Sequence, residues 1–112
     1  MKRSEVTVDG LKALGYVAKC NTINSWTWRD KETTLNARQS EELFRITVDT
    51  IRGGGHFEIR RNLRHRAVEI TVRVADVDES SLRFYYYLSR PMTEEEIAAA
   101  SVVDFDMQKK GA

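Results

Sequence analysis

Between His56 and Ser89 apolar and polar residues alternate with a period of two. In the run Arg66–Val74, Val68, Ile70, Val72 and Val74 share one parity, and Ala67, Glu69, Thr71 and Arg73 share the other. Neighbouring side chains on a strand point to opposite faces, so this is the pattern of a half-buried antiparallel strand. The run Ser81–Ser89 sorts Leu82, Phe84, Tyr86 and Leu88 against Arg83, Tyr85 and Tyr87. The run His56–Arg61 sorts Phe57 and Ile59 against His56, Glu58 and Arg60. Leu82, Tyr85, Tyr86 and Ser89 also fit helical spacing, but the aromatic content of residues 81–89 favours a strand.

Asn36 to Arg52 has a different beat. Leu43, Phe44, Val48 and Ile51, with Ile46 at the margin, recur at helical spacing and predict an amphipathic helix. Asn36 can cap its start, with Gln39 three positions on to complete a capping box. The run Gly53-Gly54-Gly55 stops it. Upstream, Leu11 and Leu14, followed by Gly15, predict a short helix over Thr7–Leu14. Tyr16–Arg29 has strand composition, broken at Asn24-Ser25, and Arg29–Glu32 reads as a polar turn. Downstream, Pro91 closes the last strand. Thr93-Glu94-Glu95-Glu96 is a second capping box with Met92 and Ile97 as its staple, and Val102–Met107 alternates like an edge strand. Together these elements predict one α+β domain over 1–112, with 1–6 and 108–112 as frayed ends. The expected architecture is a two-layer sandwich: a mostly antiparallel sheet, the 36–52 helix packed on one face, and a short C-terminal helix.

Composition narrows the function classes. The apolar fraction of 41% and charged fraction of 31% are those of a soluble globular chain. Eighteen basic residues against seventeen acidic ones leave a net charge of +1, so no global field draws the chain to nucleic acid or membrane. A single cysteine, Cys20, excludes an internal disulfide and a cysteine-based zinc site, and points to a reducing compartment. No apolar run is long enough to span a bilayer, and Met1–Asp9 lacks the apolar stretch of a signal peptide. The cytoplasm is the expected location, and no membrane partner is expected.

Two clusters carry candidate binding chemistry. Arg60, Arg61, Arg64 and Arg66 fall within seven residues at an expected hairpin tip, where guanidinium forks suit phosphate or carboxylate oxygens. A solvated turn balanced by Glu58 and Glu69 is the plainer reading of the same residues. The second cluster is the polar strand parity: Arg73, Arg83, Tyr85 and Tyr87, with Thr71 beside them and Arg60 near. Rings interleaved with guanidinium groups can stack unpaired bases, and Tyr and Arg also anchor protein interfaces. The lysine/arginine-glycine-aromatic order of an RNA-recognition motif is absent from Arg83-Phe84-Tyr85-Tyr86-Tyr87. Trp26 and Trp28 share a parity, as core or dimer-interface residues do.

Signals for catalysis are sparse. His56 and His65 are the only histidines, and Cys20 reads as a small buried hydrophobe. No phosphate loop, metal-ligand spacing or nucleophile elbow occurs, so no catalytic residue, metal or cofactor is assigned. The order of helix, histidine, strands and threonine-capped acidic helix resembles the layout of the pterin carbinolamine dehydratases. Their His-His-Pro motif would fall at Gly55-His56-Phe57, where two of its three positions differ, and no site is carried over. The sequence therefore predicts a non-enzymatic binding module working through its Arg/Tyr sheet face, toward another protein or as a homodimer. Single-stranded nucleic-acid binding by the same face and the Arg60–Arg66 tip is the first alternative. A small acid–base enzyme of dehydratase or isomerase type using His56 is the second.

Overall fold

The computed structural model describes residues 2–24, 29–74 and 82–99. In chain order these form a 3-10 turn (Arg3–Glu5), α1 (Val8–Ala13), β1 (Val17–Asn24), β2 (Arg29–Thr33), α2 (Ala37–Arg52), β3 (Phe57–Asn62), β4 (Ala67–Val72), β5 (Leu82–Pro91) and α3 (Glu94–Ala99). The arrangement is α+β, with a five-stranded antiparallel sheet, one main helix and a short C-terminal helix.

Helix α2 begins as its sequence signals dictate. The Asn36 side chain accepts the Gln39 amide at 2.8 Å, and the Gln39 side chain accepts the Asn36 amide at 3.0 Å. Two otherwise orphaned donors of the first turn are thereby satisfied. The helix ends at Gly53, and Gly54 takes φ +81°, a backbone region that glycine enters without steric cost. Helix α1 is capped by the Thr7 hydroxyl, which accepts the Gly10 amide, and Gly15 behind it sits at φ +102°.

Among the described residues the sheet order is β2-β1-β5-β4-β3, which places β5 at the centre and β2 and β3 at the ends. Residues 82–91 are thus strand rather than helix. Strand β2 corrects the expected turn at Arg29–Glu32, because these residues pair with β1 from Asn24↔Arg29 to Cys20↔Thr33. An edge strand needs no apolar run on both faces, and charge along it deters unwanted pairing, so its polarity resembles a turn's. Trp26, Trp28 and the expected strand Val102–Met107 lie outside the described residues.

Pairing sorts the sheet into two unlike faces. Leu88 sits between Ala18 and Ile70 and is fully buried. With Phe57, Ile70 and Val72 it joins Leu43, Phe44, Val48 and Ile51 of α2 in one core, completed by Val6, Leu11 and Tyr16. Burying such side chains contributes about 1.5–3 kcal/mol each. On the opposite face no described side chain of the five strands is buried except Ala67, at the base of the β3–β4 turn.

Residues 1–6, expected as a loose end, are held where the structure describes them. Val6 is fully buried, and the Arg3 guanidinium donates to the carbonyls of Ile51 (2.8 Å) and Gly55 (2.9 Å). Arg52 donates back to the Val6 carbonyl at 3.2 Å. Carbonyls at a helix end lack intrahelical partners, and guanidinium groups supply them here. Among the described residues no helix is long and apolar enough to cross a membrane.

Candidate functional site

The outer face is assembled by register across four strands. One row runs Lys19, Tyr87, Thr71, Glu58 from β1 through β5 and β4 to β3. The next runs Val17, Ser89, Glu69, Arg60, and Glu32 of β2 faces Asn21, which faces Tyr85. Residues directly opposite one another on neighbouring strands lie close enough to interact, so these rows are contact sets.

A groove of about 710 Å³ crosses this face from β1 to the β3–β4 turn. Tyr87 and Ser89 form part of its floor, Lys19 and Glu32 lie toward β2, and Asn62, Arg64, Arg66 and Glu69 toward the β3–β4 turn. That turn is held in shape. The Asn62 side chain accepts the His65 amide at 3.1 Å and donates to the Glu69 carboxylate at 3.1 Å, while the Arg66 carbonyl accepts the Met92 amide at 2.8 Å. Arg66 lies at φ +51°, a region costly for a residue with a Cβ.

Both signs of charge meet around Tyr87. Lys19 pairs with Glu32 at 3.2 Å. Neither Arg64 nor Arg66 has an ion pair among the described residues. Burial pushes the Tyr87 phenol above its ordinary pKa of 10, the carboxylates of Glu69 and Glu32 push it further, and a hydrogen bond with Asn21 opposes them.

A smaller cavity of about 300 Å³ lies at the other end of the sheet, lined in part by His56, Glu58, Thr71, Arg73, Tyr85 and Tyr86. Its His56 Nε2 is 3.8 Å from Glu58 Oε1, beyond hydrogen-bond reach, and the His56 side chain is 87% exposed. Glu58 is instead held by Arg60 at 2.9 Å. Cys20 is buried on the inner face, where burial raises its pKa against the lowering effect of a Tyr86 hydrogen bond. A thiol so placed is a poor nucleophile. Among the described residues no group of three or more His, Cys, Asp or Glu is placed to hold a metal ion.

The fold thus divides the candidates read from sequence. Tyr87, Arg64 and Arg66 line the groove; Arg73 and Tyr85 line the smaller cavity. Arg60 is on the same face but committed to Glu58, and Arg61 stands opposite Val68 on the inner parity, away from the others. Arg83 pairs through its backbone with Ile23, and its side chain lies outside the described residues. Lys19, Asn21 and Glu32 were not among the candidates. The parity of Val17, Lys19 and Asn21 is visible in the sequence, but the pairing that carries β1 beside β5 is not.

Sequence reasoning also missed Arg90, at 4% exposure, and Glu96, at 9%. Both terminal nitrogens of Arg90 donate to the Glu96 carboxylate, one at 2.7 Å. Arg90 continues the even, inward series of β5, and this was the available signal. Compared with known families, curated proteins and solved structures, the chain matches none.

Proposed function

We propose that this chain is a protein-binding module that takes a polypeptide segment in the groove over Tyr87. The observation that carries the reading is the mixed charge around a half-buried tyrosine: Lys19, Arg64 and Arg66 against Glu32 and Glu69. Tyrosine supplies broad contact area at low entropic cost, and arginine is the cation most often enriched in protein interfaces. A polypeptide can present acids to Arg64 and Arg66 and a base to Glu69. A nucleic-acid strand is negative throughout, so its backbone would meet Glu32 and Glu69 unfavourably.

Nucleic-acid binding is the second reading, supported by Arg64 and Arg66 lining the same groove as Tyr87 without an acidic partner among the described residues. His56, exposed and outside hydrogen-bond reach of Glu58, adds no support to acid–base catalysis.

The test is selection of displayed random peptides on the immobilised chain, with a labelled deoxythymidine oligonucleotide titrated in parallel. The proposal expects enriched peptides of mixed charge whose binding drops at least about tenfold with Tyr87→Ala. Absence of enrichment, or oligonucleotide binding that falls steeply with added salt, would replace it with the second reading or with neither.

A further inference from the structure

We infer that a second copy of this chain pairs along the outer edge of β3, the strand that ends the described sheet, in one register chosen by charge. This surface is separate from the groove over Tyr87. Among the described residues β3 pairs with β4 alone, so every second residue turns its N–H and C=O away from the described sheet. An edge of this kind is either blocked or used.

Geometry limits how two copies can meet. A two-fold axis perpendicular to the sheet makes the two β3 strands antiparallel and keeps both apolar faces on the same side. Partners must then share parity, since a slip of one residue would set an inward side chain against an outward one. Three symmetric registers centre on the middle of the strand: Glu58 on Glu58, Ile59 on Ile59, or Arg60 on Arg60. The first opposes two carboxylates and the third two guanidinium groups, and like charges directly opposite are destabilising. The register centred on Ile59 sets each Glu58 opposite the partner's Arg60. It also places Phe57 opposite the partner's Arg61, and His56 opposite the partner's Asn62.

Charge on an edge strand usually deters pairing because it repels or must stay hydrated. Here Glu58 and Arg60 alternate in sign on the outer row, both solvent-exposed and bonded to each other at 2.9 Å. An edge that carries both signs at a spacing of two is its own complement. The result is a continuous sheet through both copies, with the two grooves on one side and the two α2 helices on the other. The interface is narrow, so the dimer is weak and reversible.

Sedimentation equilibrium over a range of concentrations tests this with three variants: Glu58→Arg, Arg60→Glu, and the double exchange. The parent is expected to show a reversible dimer. Each single reversal weakens it by about tenfold, and the double exchange restores it, because the same pairs form with signs swapped. An equimolar mixture of the two single variants dimerises better than either alone, since every facing pair then has opposite sign. Circular dichroism of each variant checks that the sheet remains.

A parent that stays monomeric to about 1 mM overturns the proposal whatever the variants do. So does a mixture no better than its components. Peptide capture in the groove is a separate readout, since neither Glu58 nor Arg60 lines it. A parent chain that captures peptide but forms no dimer refutes the edge alone, and a parent that dimerises but captures no peptide refutes the groove alone.

Discussion

Arg90 at the end of β5 grips Glu96 of α3 with both guanidinium nitrogens, and the pair is buried. The Glu96 carboxylate also accepts the Thr93 amide at 2.9 Å, so one side chain closes the capping box and anchors the helix. Arg90 in turn lies over the Tyr16 ring, 5.4 Å from its centroid. The Arg90 hydrogen bond is the main force lowering the Glu96 pKa from 4.5 to about 2, against the cost of burial. A carboxylate with a depressed folded pKa contributes stability that is present above its unfolded pKa and lost as pH falls through the folded one.

Acid unfolding follows from that sign. Between pH 4.5 and about 2, the parent should lose roughly 3 kcal/mol that Glu96→Gln never has. Urea midpoints at pH 7 and pH 2.5 measure it: the gap between parent and variant is wide at pH 7 and narrows in acid. A gap that does not change with pH would show that the charge on Glu96 contributes nothing.

The backbone of Arg66 gives a second prediction. Its φ of +51° costs a residue with a Cβ about 1–2 kcal/mol, whereas glycine adopts it freely. Glycine's greater freedom in the unfolded chain offsets about 0.5–1 kcal/mol of that gain. Arg66→Gly is therefore expected to be at least as stable as the parent while binding groove peptides more weakly. A drop in denaturation midpoint equivalent to more than about 1 kcal/mol would contradict this.

Tyr87 should report its surroundings in alkali. Burial, Glu69 and Glu32 hold its phenol above 10, so it ionises after an exposed tyrosine does. A raised folded pKa means the stabilising contribution is full below pH 10 and lost as pH rises through the folded value. The ring-carbon NMR shift of Tyr87, assigned with Tyr87→Phe, follows the titration. Glu69→Gln should bring the midpoint part of the way down, because burial remains. A Tyr87 that titrates at its ordinary pKa would mean the groove is not desolvated.

How far the sequence carried the fold depended on the range of each interaction. The capping boxes at Asn36 and Thr93 and the stripe Leu43–Ile51 were legible because each is complete within a few residues. So was the parity of Val68 through Leu88, which fixed the two sheet faces before any pairing was known. What escaped was set by pairing between segments distant in sequence. Strand β2 is polar and recognisable only once β1 lies beside it. Lys19 and Tyr87 become neighbours only through the β1–β5 register. Arg61 is different: it shares the local parity of Phe57 and Ile59, which the pleat turns inward away from the other arginines. Arg90 is not singled out by sequence, because its role shows only when its inward parity and Glu96 are considered together.

The claim that the face over Tyr87 is the binding surface is tested most directly by an amide chemical-shift map. Nitrogen-15-labelled protein is titrated with the most enriched displayed peptide. The largest shifts are expected in Val17–Asn21, Asn62–Glu69 and Tyr87–Ser89, and Tyr87→Ala should abolish them. Shifts centred on α2, with this face unchanged, would contradict it.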